Sequence, residues 1–208
     1  MGVMSTQANL DVIRERTGDE LDRAVGRFIS TLDANELGAA MIEVLTFEHE
    51  RAASVGRRRM GDEHIFSDDD RDLADRVMEG ERVFVDAFMA DIAAGRYWDV
   101  KLERIDFAGI YKRAQMYLAR LAGTANEAYV KASGDGETWT WILDPKAEHC
   151  ESESGECLDC PGLAAGSPYT SETLPTFPGA GDTKCLLGCR CAIVRSDGRA
   201  GFKPWGWG

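Results

Sequence analysis

The chain has 208 residues, 44% of them hydrophobic and 29% charged, with 36 acidic side chains against 24 basic ones and a formal net charge of −12. This is the composition expected of a soluble globular protein with one domain and an appendage or two small domains, and no apolar run approaches the roughly 20 residues a membrane helix needs. The acidic balance argues against generic nucleic-acid binding, which takes a basic footprint to release phosphate counterions, so basic character is expected to be local.

Residues 1–17 start as a polar tail and become a short helical run anchored by Leu10, Val12 and Ile13. Nothing at the start reads as a basic stretch followed by an apolar run, so a reducing compartment is expected for the thiols, and the match of Met1 to Thr6 to a myristoylation pattern is taken as chance. Over 18–31, Leu21, Val25, Phe28 and Ile29 recur at helical spacing, with Asp19 and Glu20 suited to the positive end of the dipole. Asp33 and Glu36 form a capping-box pattern opening a helix through Leu37, Met41, Val44, Leu45, Glu48, Ala52 and Val55. That helix ends in Arg57, Arg58 and Arg59, which read either as dipole compensation on a solvated face or as a contact for DNA phosphates or an acidic partner. His49 and His64 lack ligand partners at suitable spacing and read as surface or half-buried histidines. Ser67 caps a further helix through Leu73, Val77, Phe84, Phe88 and Ile92, stopped by Gly95. From Trp98 runs the longest helical signal, Phe107, Ile110, Ala114, Tyr117, Leu121, Ala125 and Ala128, with Gly109 and Gly123 as breaks or close-packing points. Four or five such helices bury their stripes most simply against one another.

After Gly136 the period changes from 3.6 to 2. Trp139 and Trp141 alternate with threonines in a strand ended by Asp144-Pro145, and Cys191 to Arg195 is the second strand; pairing the two closes the segment between them at its base. All six cysteines lie in 149–191, as Cys150, the pair Cys157 and Cys160, and Cys185, Cys189 and Cys191. A structural zinc takes four such ligands, and Cys157, Cys160, Cys185 and Cys189 are the first choice, with Cys191 and Cys150 as substitutes. A disulfide framework is the alternative. The loop 161–183 is too long to order itself without a staple, which favours metal. The tail carries Phe202, Trp205 and Trp207, which pack back on their own sheet or dock into a neighbouring subunit of a homo-oligomer or another partner.

These elements describe a mainly α chain, a helical bundle over 1–133 and a small Cys-rich α+β module over 134–208. The order of a Trp139-Trp141 strand, His149-Cys150, Cys157-Leu-Asp-Cys160, the Pro178-Gly-Ala-Gly181 loop and Cys189-Arg-Cys191 resembles the C-terminal region of tailed-phage head morphogenesis proteins, also called minor head or minor capsid proteins. The resemblance covers about 97–195 and is specific over 139–193; the acidic insert 151–156 departs from it, and the N-terminal third has no counterpart. It implies a virion component in the phage head, present in the host cytoplasm during assembly. Its implied partners are the portal or the major capsid protein, with a role in head assembly or in DNA packaging and ejection. The alternative is a zinc-ribbon-like module acting on nucleic acid or in regulation. No enzyme is expected: His149 and Cys150 are adjacent with no orienting third group, and no phosphate loop, G-x-S-x-G or helical H-E-x-x-H occurs.

Overall fold

Apolar spacing sets the first three helices, and polar caps open the second and third. The computed structural model describes residues 6–61, 66–134, 136–146, 159–183 and 189–203. Helix α1 spans Thr6–Thr31. The short run and the 18–31 helix are therefore one element, because Gly18 does not break it. Its missing side chain instead admits Gln115, whose Nε2 donates to the Gly18 carbonyl and the Asp22 carboxylate. Leu10, Ile13, Leu21, Val25 and Phe28 are buried, whereas Val12 and Ile29 face outward. Leu32, at a φ of 55°, ends the helix, and Asp33 starts the next by accepting from the amides of Asn35 and Glu36.

Helix α2, Ala34–Arg58, is the central element, packed against α1 on one side and α3, Asp68–Ala93, on another. Ser67 and Asp70 close a reciprocal capping box at the start of α3, and Gly95, at a φ of 73°, follows its end. The stretch from Trp98 to Ile105 is a hairpin and not helix: β1, Trp98–Asp99, pairs antiparallel with β2, Arg104–Ile105. Asp99 accepts from the amides of Lys101 and Leu102, which builds the turn that helical spacing alone does not register. Asp106 then caps α4, Phe107–Gln115. A 3-10 turn, Met116–Arg120, divides α4 from α5, Leu121–Lys131, so the long stripe is two helices with a bend.

Helix α5 crosses α2 at Gly56, where an added Cβ would lie 2.2 Å from the Ala125 carbonyl oxygen. Beyond it, β3, Trp139–Ile142, pairs antiparallel with β4, Ala192–Arg195, Trp139 facing Arg195 and Ile142 facing Ala192. A short helix α6, Cys160–Ala165, sits between them in sequence. The molecule is mainly helical, and one hydrophobic core runs from Leu10 in α1 through Trp139, Trp141, Cys160 and Ile193 to Phe202.

Because α2 is covered by α1, α3 and α5, three of its polar residues, Glu48, His49 and Ser54, fall inside. His49 is fully buried and not half-exposed, its Nδ1 2.7 Å from the Thr124 hydroxyl. His64 lies outside the described residues. Among the described residues no helix is long and apolar enough to cross a membrane.

Candidate functional site

Alternation along β3 turns Trp139 and Trp141 inward and Thr140 outward. The Trp139 amide donates to the Tyr169 carbonyl and the Tyr169 amide to that of Trp139, both at 2.8 Å, while the Trp141 amide donates to Ser167 Oγ. These bonds draw the chain after α6 onto β3. The helix itself starts from Asp159, which accepts from the Gly162 amide, and Pro161 in the first turn lacks the N–H that would otherwise need a partner. Cys160 is thereby buried at the start of α6. On the other strand, the Ile142 to Ala192 register brings the Cys189-Arg-Cys191 lead-in to the Asp144 end of the sheet, where the Arg190 and Asp144 side chains pair at 2.8 Å.

Cys160, Cys189 and Cys191 meet there, all buried. Cys189 shares side-chain hydrogen bonds with Cys160 and Cys191, and Cys191 with Cys160 and Trp141. Hydrogen bonds from Cys160, and then Cys191, hold the Cys189 thiol far below its ordinary value, at about 3. The Cys160 bond works in the same direction on Cys191, but the bond with Cys189, burial and the Cys189 charge outweigh it and push that thiol up to about 12. A cluster of three sulfurs shielded from water is the donor chemistry a soft cation such as zinc takes. It is one ligand short of a tetrahedron, and among the described residues no group of three or more His, Cys, Asp or Glu side chains is arranged to hold a metal ion by itself. Cys150, Cys157 and Cys185 lie outside the described residues. Cys191, a substitute in the sequence-based ligand order, stands beside Cys160 and Cys189 as an equal.

The loop 161–183 has staples of its own. The Asn126 side chain, buried in α5, donates to the carbonyls of Pro178 and Phe202 and accepts from the Phe202 amide at 2.6 Å. Gly123 lets the loop lie directly on α5, since an added Cβ there would be 2.5 Å from the backbone of Ala180. Gly123 is one of the close-packing points marked in the sequence, whereas periodicity passes over Asn126, although a polar residue within an otherwise apolar helix face is the signal that marks it.

Arg57, Arg58 and Arg59 do not form one basic face. The Arg57 guanidinium pairs with the Asp70 carboxylate, at 2.5 Å from Nη2 to Oδ2. Arg58 Nε donates to the Ser54 carbonyl, and the Arg59 guanidinium lies over the rings of Tyr129 and Phe202. Trp205 and Trp207 lie outside the described residues.

A second polar group is buried between α2, α3 and α5. Glu81 pairs with Arg120, and burial raises its carboxyl to about 7 against the opposing charge of that arginine. Burial and the nearby Arg120 charge lower His49 to about 3, so its imidazole is neutral. Compared with protein-family models, with curated proteins and with solved structures, the chain has no match in any of the three.

Proposed function

We propose that the chain is a structural component of a tailed-phage head, a minor head or head-morphogenesis protein acting in capsid assembly or in DNA packaging and ejection near the portal. One observation carries this reading. Cys160, Cys189 and Cys191 lie together at one end of the β3–β4 pair, within the order of Trp strand, Cys-x-x-Cys, Pro-Gly loop and Cys-Arg-Cys on which the family resemblance rests. In this reading zinc is a structural cofactor held by these three thiols and one of the remaining cysteines, and it fixes a surface for the portal or the major capsid protein. What supports this is donor chemistry alone, since buried thiols near one another are the ligands a soft cation takes and a site closed by four of them leaves no position for catalysis. Contact with packaged DNA draws no support from Arg57, paired with Asp70, or from Arg59, laid over the rings of Tyr129 and Phe202.

Two measurements test the reading. Protein purified without added metal is expected to hold one zinc per chain, as about four thiols become reactive only on chelation; no zinc and no reactive thiol would replace the staple by disulfides. Co-expression with the portal and major capsid proteins of one phage, followed by gradient sedimentation, is expected to place the chain in the head fraction. Its remaining wholly at the top of the gradient beside assembled heads would overturn the assignment.

A further inference from the structure

A groove of about 420 Å³ runs along the outer side of α1 and α2, away from the cysteine cluster. Its apolar lining includes Val12, Phe47 and Phe66, which are 47%, 48% and 45% exposed. Arg16, Arg51 and Arg58 also line it, and among the described residues no carboxylate does. In a chain of net charge −12, three guanidinia gathered on one apolar groove are a local reversal of sign.

The arginines are held in place. Glu48, buried beneath them, pairs with Arg16 and lies 3.6 Å from Arg51, and both guanidinia stand over the Phe47 ring. Among the described residues Glu20, 3.8 Å from Arg16, is the other acid at hand, and Arg58 donates to the Ser54 backbone carbonyl. Among the described residues three positive charges thus face two negative ones, and the two arginines fixed by Glu48 lose little further freedom on binding.

We infer that this groove docks an acidic peptide segment of a partner protein, an amphipathic helix or extended strand whose apolar residues enter between Val12, Phe47 and Phe66 while its carboxylates meet Arg16, Arg51 and Arg58. Its volume is within the range of about 300–1,000 Å³ usual for binding clefts, and the mode is a peptide anchored in an apolar groove. Single-stranded nucleic acid fits less well. The Phe47 ring already carries two guanidinia in place of a base, and the overall negative charge repels a long polyanion. The inference is independent of the phage reading.

The test is fluorescence anisotropy on the full chain with three labelled probes. One is a peptide of Glu, Leu and Phe at helical spacing, one is the same peptide with Lys for every Glu, and one is oligo-dT. The acidic peptide is expected to bind with a salt-sensitive affinity that Arg58→Glu weakens about tenfold or more. Phe66→Ser should also weaken it; both sites lie at the groove surface, and equal melting temperatures establish that the fold is kept. Arg16 and Arg51 are left alone because removing either exposes the buried Glu48 charge. Equal binding of the Lys peptide, tighter binding of oligo-dT, no effect of either variant, or self-association that Arg58→Glu abolishes would each overturn the proposal.

Discussion

Asn126 shows how much can rest on one side chain. Its amide satisfies two carbonyls and one amide from two separate segments, all out of water. Asn126→Leu keeps the volume and leaves those groups without partners, each at about 1–3 kcal/mol, so urea unfolding should show a loss of about 3 kcal/mol or more. Two glycines make a paired experiment. At Gly123 an added methyl meets loop backbone, and Gly123→Ala should cost about 1–3 kcal/mol. At Gly80, inside α3, it meets nothing within 4 Å, and Gly80→Ala should stabilise by about 0.5–1 kcal/mol. A Gly80 variant less stable than the parent, or a neutral Gly123 variant, would contradict these contacts.

At the scale of elements, the interface of α2, α3 and α5 predicts a pH response. Glu81 rises from 4.5 to about 7 on folding, so between those values the folded chain holds a proton that the unfolded chain loses, and stability falls as pH rises. Glu48 is raised too, by burial, and adds in the same direction. His49 falls from 6.5 to about 3, so below 6.5 only the unfolded chain takes up a proton, and stability falls as pH drops. The effects oppose one another between about 4.5 and 6.5. His49→Asn, which keeps a polar group near Thr124, should remove one of them and leave a protein whose stability increases on acidification from pH 7 to about 5. Denaturant midpoints across that range measure it, and an unchanged slope would count against the buried neutral imidazole.

Helix starts were legible because Asp33 and Ser67 stand directly before apolar stripes, and their caps act through the nearest few residues. The two tryptophans likewise marked β3 and its pairing with β4. The β1–β2 hairpin was not, since strands of two residues carry no period and its turn is made by the Asp99 side chain and by Glu103 at a φ of 49°. Nor was the burial of His49, which follows from α2 being covered on several sides, a fact absent from its own spacing. Of the candidate site, spacing put Cys160 and Cys189 in one group, while the place of Cys191 beside them depends on strand register, and Cys157 and Cys185 lie outside the described residues.

For the whole molecule the question is whether the helices stand without the C-terminal third. Tyr129 meets both Trp139 and Phe202 edge to face, at 4.9 and 6.2 Å between ring centroids, and Arg59 covers Tyr129 and Phe202. Arg14 in α1 reaches the Lys203 carbonyl. A chain ending at Ser133 would expose this face, so it should lose its cooperative melt or aggregate, whereas the full chain is expected to melt in one transition. A fragment 1–133 melting at the full-length temperature would show that the bundle is self-sufficient.

The clamp at Asn126 also sets a timetable for synthesis. Its two carbonyl partners are translated 52 and 76 residues after it. At roughly 5–20 residues per second, α5 leaves the ribosome several seconds before the loop and the tail can cover the face turned away from α2. For that interval the nascent chain presents Tyr129, Val130 and the backbone at Gly123 to the cell. Yield on expression should therefore depend on holding chaperones and on elongation rate more than the stability of the finished protein suggests.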